Sequence, residues 1–149
     1  MFGGFSMTVG TLNNQCGFFA RFFFRAANQL INFQNLHGNF FPSRVPLKML
    51  QYSADHGHVT AMSQLGSLLC EKGVGRVDKR SGFEYVRIAA KNGDVCAQYK
   101  LGCAFYDGNM VHRNLQQAMH WLALAAERGH LESGHLLHLC QQETDDSGR

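Results

Sequence analysis

The sequence predicts an all-α protein, an α-solenoid of antiparallel helical hairpins, on the basis of three observations. The chain repeats itself at a spacing of 36 residues, most visibly at Gly57, Gly93 and Gly129, each of which follows a pair of small residues. Apolar residues recur at helical spacing inside the repeats, and turn-forming residues separate the helical stretches. One unit of this length cannot bury its apolar face alone, so successive units must stack.

Each repeat is predicted to contain two helices, and local signals indicate where they start and stop. Asp78 and Asn114 precede the second helices, where a short acceptor side chain can bond the unpaired backbone N–H groups. Gly57, Gly93 and Gly129 follow these helices, and glycine is the residue type that closes a helix in the left-handed conformation.

Gly66 and Gly102 fall inside the first helix of their repeats. Glycine costs about 1 kcal/mol relative to alanine at such positions. The two residues therefore predict a close approach between helices that offsets this cost.

These residues together resemble the Sel-one-like repeat, a relative of the tetratricopeptide repeat, over about residues 46–140. The resemblance implies a right-handed, tetratricopeptide-like solenoid with about two full repeats, a degenerate N-terminal repeat that would include Gly38, and a C-terminal helix. The chain departs from the family pattern at Gly82, where alanine is usual, and in the turn Gly108-Asn-Met-Val-His, where the family has Gly-x-Gly-Val. The matching positions are Leu65, Gly66, Gly73, Gly75, Asp78, Ala89, Ala90 and Gly93 in one copy, and Leu101, Gly102, Gly108, Asn114, Ala118, Trp121, Ala125, Ala126 and Gly129 in the next.

Composition divides the chain into three predicted regions: a Phe-rich basic segment at 1–45, the repeat domain at 46–140, and a polar, disordered tail at 141–149. Residues 1–54 contain ten of the twelve phenylalanines, four basic residues and no acidic residue. The repeats are close to neutral and lack a basic patch, which argues against nucleic acid as a partner.

The segment 17–33 predicts an amphipathic helix whose role has three alternative explanations. In the first, it is the first helix of a degenerate repeat, and its apolar face covers one end of the solenoid. In the second, it is an organelle-targeting helix or a helix that contacts a membrane surface through residues 18–33. In the third, it is an N-terminal extension that is not a selected part of the protein. A secretory signal and a transmembrane helix are not expected. The apolar stripe is Phe19, Phe22, Phe23, Ala26, Leu30 and Phe33, and the polar stripe is Arg21, Arg25, Asn28 and Asn32.

The cysteines and histidines are the remaining concentration of chemistry. Cys96 and Cys103 lie seven residues apart on one predicted helix, about 10 Å along its axis, too far for a disulfide. Free thiols indicate a reducing compartment, most simply the cytoplasm. His130, His135 and His138 with Cys140 do not share one helical face, so no metal site is expected. The full cysteine set is Cys16, Cys70, Cys96, Cys103 and Cys140.

The sequence shows no motif of an enzyme or of cofactor binding, so we expect a non-catalytic adaptor that binds a peptide or protein partner. A membrane-surface accessory protein and a metal- or thiol-dependent enzyme are the alternatives. In related hairpin repeats the first helix of each unit lines the concave face. The expected groove residues are Ser63, Gln64, Ser67, Cys70, Tyr99, Lys100, Cys103, Tyr106 and His135.

Overall fold

The computed structural model describes residues 9–36, 44–72 and 76–147, and every regular element in these ranges is an α-helix. No helix within them combines the length and the apolar character needed to cross a membrane. Gly38, Gly73 and Gly75 lie outside the described residues, as does the side chain of Cys16. The helices are α1 (Val9–Leu36), α2 (Arg44–Asp55), α3 (Val59–Lys72), α4 (Arg76–Lys91), α5 (Val95–Asp107), α6 (Leu115–Ala126) and α7 (Leu131–Ser147).

The chain divides into an N-terminal unit that ends at Met62 and a C-terminal unit that begins at Ser63. The N-terminal unit holds α1, α2 and the start of α3, and the C-terminal unit holds the rest of α3 and α4 to α7. This division does not follow the boundary expected after residue 45, because α2 already begins at Arg44 and packs on α1.

In the N-terminal unit, α1 packs on α2 through small residues and through Phe23, one phenylalanine of its apolar stripe. Ala20 and Ala27 are fully buried, and the Ser53 hydroxyl of α2 donates a hydrogen bond to the Ala20 carbonyl. The ring of Phe23 meets that of Tyr52 edge to face, with centroids 5.0 Å apart. Three of the four phenylalanines in the predicted apolar stripe, Phe19, Phe22 and Phe33, are exposed. That the apolar face covers one end of the solenoid stays a prediction.

In the C-terminal unit, successive helices pack on one another, and glycines allow the close approaches predicted at Gly66 and Gly102. A Cβ atom on Gly66 would lie 2.7 Å from the Gly82 carbonyl oxygen, and one on Gly102 would lie 2.7 Å from Leu122 Cγ. Gly82 departs from the family pattern for the same reason, since its own Cβ would lie 2.7 Å from Leu69 Cβ.

The repeat is visible in burial as well as in sequence. Residues at equivalent positions 36 apart take the same place in the core of their helices, because the helical phase is preserved from one repeat to the next. The equivalent buried sets are Leu50, Val86 and Leu122; Ala61 and Ala97; Leu65 and Leu101; and Ser53, Ala89 and Ala125.

The predicted helix ends are confirmed for α2, α4 and α6. Gly57, Gly93 and Gly129 adopt φ values of 84°, 86° and 87°. In each case the following residue donates its N–H to the carbonyl five residues back, the bond of a Schellman motif. Asn114 caps α6 by accepting the Gln117 N–H at 3.0 Å, as predicted. Asp78, by contrast, lies within the first turn of α4, since that helix begins at Arg76.

The prediction of a disordered tail at 141–149 is wrong up to Ser147, where α7 ends. The Glu143 carboxylate accepts a hydrogen bond from the Tyr106 hydroxyl at 2.7 Å and another from Arg113. These contacts hold the polar end of α7 against α5 and the turn that follows it, so its polar composition does not prevent ordering.

Candidate functional site

An open cleft of about 390 Å³ lies in the C-terminal unit, bounded by α3, α4, α5 and the turn after α5. It brings together four of the nine predicted groove residues: Ser67 and Cys70 from α3, and Lys100 and Cys103 from α5. Helices α3 and α5 are the first helices of successive repeats, which is the origin that the sequence predicted for this surface. The other lining residues are Glu71, Phe83, Val86, Ala104, Asp107, Asn109 and Met110.

The cleft combines an apolar inner surface with a charged edge. Val86 is buried, Phe83 is half-buried, and both come from α4. At the edge, Lys100 Nζ lies 2.9 Å from Glu71 Oε1, and Asp107 is exposed nearby on α5. The Lys100–Glu71 pair is largely open to solvent, so it stabilises the fold by less than about 1 kcal/mol and its charges remain available to a ligand.

Met110, at the edge of the cleft, has an unusual backbone conformation. Its φ of 71° is in the left-handed region that non-glycine residues avoid. This residue occupies the second glycine position of the family turn, where the sequence departs from Gly-x-Gly-Val. The turn therefore holds a methionine in a conformation that glycine would favour, and Met110 lines the cleft.

The two cysteines of the cleft have raised thiol pKa values. Burial raises the pKa of Cys70 and of Cys103 above the ordinary thiol value. A reactive cysteine needs the opposite shift, because the thiolate is the attacking form. The surroundings of Cys70 and Cys103 therefore do not activate either thiol.

Two other predicted groove residues, Ser63 and Gln64, do not line the cleft. Ser63 is buried, and its hydroxyl donates to Asp94 Oδ1 at 2.8 Å, which joins α3 to the start of α5. Gln64 is half-buried on the same helix. Helical spacing placed Ser63 on the outer surface, but the neighbouring repeat covers it.

The predicted tyrosines make contacts inside the C-terminal unit. The Tyr99 ring lies 4.5 Å from the His130 ring, centroid to centroid. Tyr106 packs against the core formed by Ala118, Leu122 and Cys140, in addition to its bond to Glu143. His135 lines a separate shallow hollow on α7 with His138 and Leu131.

One recurrent position was missed from the sequence: His58, Asp94 and His130, which are 36 residues apart. Each caps the next helix, with a side-chain atom accepting the N–H three residues ahead at 3.2, 2.8 and 3.3 Å respectively. The spacing was available in the sequence. Histidine is not a standard N-cap residue, so residue type gave no signal at His58 and His130, although Asp94 is a standard N-cap.

The histidine cluster of α7 offers no metal site in the described part of the chain, where no group of three or more potential ligands gathers. His130 is occupied by its capping bond and its contact with Tyr99. Cys140 is fully buried, and burial raises the pKa of its thiol.

Two consecutive helical hairpins, α3–α4 and α5–α6, with glycine-closed ends and buried alanine and leucine positions in register, define a helical-hairpin repeat protein. The family model of the Sel1 repeat matches residues 59–94 and 97–130, which cover these two hairpins. The chain thus contains two Sel1-like repeats, and the predicted all-α solenoid class is confirmed.

Known proteins agree with this assignment. A Sel1-like repeat-containing protein of Acanthamoeba polyphaga mimivirus is 42% identical over 45 residues, which span 30% of this chain and 8% of the viral protein. A Sel1 repeat protein from Oxalobacter formigenes superposes with a TM-score of 0.68 at 21% identity, covering 87% of this chain and 93% of the other. A protective antigen of uropathogenic Escherichia coli strains with an SLR fold gives a TM-score of 0.64 at 25% identity, covering 76% of this chain and 24% of that chain.

Proposed function

We propose that this protein is a non-catalytic adaptor that binds a segment of a protein partner in the cleft between α3, α4 and α5. The main support is that Ser67, Cys70, Lys100 and Cys103, selected from the repeat pattern alone, line one open cleft. Sel1 repeats are generally protein-interaction modules, which gives the same class of function.

The chemistry of the cleft suits a peptide with an apolar side chain flanked by charge. Phe83, Val86 and Ala104 can receive an apolar group, and burial of such a group supplies most of the binding free energy. Lys100, Glu71 and Asp107 at the edge can orient polar or charged groups of the partner. Met110 adds an adaptable apolar contact, since methionine fills irregular gaps well.

A catalytic function has less support. The cleft cysteines are held in the protonated form by burial, and an enzyme that used either as a nucleophile would need its pKa lowered. The charged residues at the edge form a solvent-exposed ion pair rather than a desolvated acid or base.

The decisive experiment compares three baits in affinity capture from source cells with quantitative mass spectrometry: the wild type, Ala104→Arg and Cys96→Arg. Ala104→Arg places a long charged side chain in the cleft. Cys96→Arg places the same side chain on an exposed position of the same helix that does not line the cleft. We expect a partner to be captured by the wild type and by Cys96→Arg but lost with Ala104→Arg, all three having the same helical content by circular dichroism. Equal capture by all three baits would contradict the cleft as the docking surface.

We also propose that the protein works in a reducing compartment. Within the described ranges Cys70, Cys96, Cys103 and Cys140 are free thiols, and Cys140 is fully buried. Maleimide labelling of these thiols in freshly lysed cells tests this, and oxidised cysteines in the bulk of the protein would argue against it.

A further inference from the structure

Helix α1 presents an exposed apolar surface on the side of the helix away from α2. Five large apolar side chains on this helix are between 39% and 68% exposed. At about 100° per residue they fall within an arc of about 120°. We call this surface the α1 phenylalanine face; its members are Phe18, Phe19, Phe22, Leu30 and Phe33.

The packed side of the same helix is formed by other residues. Ala20 and Ala27 are fully buried, and they lie on the other side of the helix from the phenylalanine face. The rings of Phe23 and Phe24 contact those of Tyr52 and His58 within the N-terminal unit, whereas the side chains of the phenylalanine face stay exposed. An exposed aromatic surface of this kind is typical of a site that contacts a partner or a membrane.

Charge distinguishes among the partners that could cover this face. Arg21 and Arg25 are both exposed and lie within about 60° of one edge of the apolar arc. The first acidic residue of the chain is Asp55, so α1 has no carboxylate to balance them. Two copies docked through this face would bring like charges together, whereas an anionic surface would be attracted.

We propose that the α1 phenylalanine face binds the surface of an anionic lipid bilayer, with α1 lying parallel to it. The phenylalanine rings insert at the boundary between headgroups and acyl chains, where aromatic side chains are favoured. Arg21 and Arg25 extend along the apolar surface and place their guanidinium groups at the headgroup phosphates and carboxylates. This activity is separate from the cleft in the C-terminal unit.

The test is cosedimentation of the full chain with phosphatidylcholine vesicles prepared with or without phosphatidylserine. We expect the wild type to bind the phosphatidylserine vesicles more strongly than the neutral ones. Phe18→Ser with Phe22→Ser should lower binding by about tenfold or more, because two exposed rings no longer insert. Arg21→Gln with Arg25→Gln should reduce binding to the anionic vesicles to about the neutral level.

A matched control removes the same number of exposed apolar side chains elsewhere. Val77 and Leu131 are each 77% exposed in the C-terminal unit, and Val77→Ser with Leu131→Ser should bind vesicles as the wild type does. The substituted positions on α1 are exposed, so circular dichroism should show unchanged helicity in every variant.

Three results would overturn the proposal: a wild type that stays in the supernatant with both vesicle types, a phenylalanine variant that binds as well as the wild type, or arginine variants with undiminished preference for phosphatidylserine. Sedimentation velocity tests whether a second copy of the chain, rather than a lipid bilayer, covers the α1 phenylalanine face. A dimer that dissociates in Phe18→Ser with Phe22→Ser, without vesicle binding by the wild type, would assign the face to a second copy and also overturn the proposal.

Discussion

The Tyr106 hydroxyl donates a hydrogen bond to Glu143 Oε1 at 2.7 Å, which fastens the polar end of α7 to α5. Arg113 strengthens the connection, since it pairs with the other oxygen of Glu143 and lies 5.5 Å from the centroid of the Tyr106 ring. Tyr106, which the repeat pattern assigned to partner binding, is thus part of an internal contact between α5 and the last helix, α7.

Replacing Tyr106 by Phe should loosen the end of α7 and leave the cleft unchanged. The ring keeps its packing on the core, while Glu143 loses one of its two described side-chain donors. Hydrogen exchange should accelerate for amides after Cys140 and stay the same in α3. Arg113→Ala should act on the same amides, because it removes the second donor. Faster exchange spread evenly over the C-terminal unit would contradict this local role.

Adding a methyl group at Gly66 or Gly102 should destabilise the protein, because each glycine lies where two helices nearly touch. Overpacking of this kind costs about 1 to 3 kcal/mol, and Gly66→Ala should be the more costly. Its Cβ would meet backbone atoms, Gly82 O at 2.7 Å and Val86 N at 2.9 Å, whereas Gly102→Ala meets the side chain of Leu122. Urea unfolding followed by circular dichroism measures both.

Gly134 is the matched control for these substitutions. It also lies within a helix, α7, but nothing is within 4 Å of its ideal Cβ position. Gly134→Ala should therefore stabilise the protein by up to about 1 kcal/mol through helix propensity alone. If all three alanine variants were equally destabilised, close helix approach would not be the reason for Gly66 and Gly102.

Met110→Gly should raise stability even though it removes an apolar side chain. The left-handed conformation costs a non-glycine residue about 1 to 2 kcal/mol. Part of this gain is lost to the greater freedom of glycine in the unfolded chain, so we expect a net gain of up to about 1 kcal/mol. Gly108 has the same φ of 71°, and Gly108→Ala should shift the unfolding midpoint in the opposite direction. A destabilised Met110→Gly would mean that the methionine contributes packing that outweighs the strain.

The repeat pattern predicts the features that recur in successive repeats, and it fails at residues whose surroundings differ from one repeat to the next. Leu65 and Leu101 occupy matching positions of the two predicted repeats, and both are buried. Tyr106 was assigned to an open groove because helical spacing places it outward, but the pattern does not indicate that the end of α7 lies against it. The sequence showed that α1 has an apolar stripe, yet small residues decide which side of that helix packs.

His58 should make the N-terminal unit less stable in acid. The pKa of His58 lies below its ordinary value of 6.5, and the larger cause is burial of the ring. The second cause is Arg21, whose charge repels the protonated imidazole. In the unfolded chain His58 binds its proton more readily than in the folded protein. Its contribution to stability is therefore fully present above the pKa that His58 has in the unfolded state, and it is lost as pH falls through the pKa of His58 in the folded state. Protonation would also remove the Nδ1 acceptor that caps α3.

An NMR titration of the imidazole protons checks the His58 prediction. In the wild type the midpoint of His58 should lie below its ordinary value, and Arg21→Gln should raise it, because a repulsive charge is removed. His58→Asn keeps a capping acceptor without a titrating ring, so its melting temperature should fall less between about pH 7 and about pH 5. An unchanged midpoint in Arg21→Gln would show that the arginine does not act on His58.

Alkylation rates should rank the cysteines by burial and thiol pKa. Cys96 is exposed and should react first with iodoacetamide at neutral pH. Cys70 and Cys103 are half-buried with raised pKa values, so they should react several-fold more slowly, and the fully buried Cys140 last. Peptide mass spectrometry over a time course gives the four rates, and denaturation in urea should make them converge. If Cys103 reacted as fast as Cys96 in the folded protein, the cleft would hold an activated thiol, and the alternative of a thiol-dependent enzyme would gain over the adaptor.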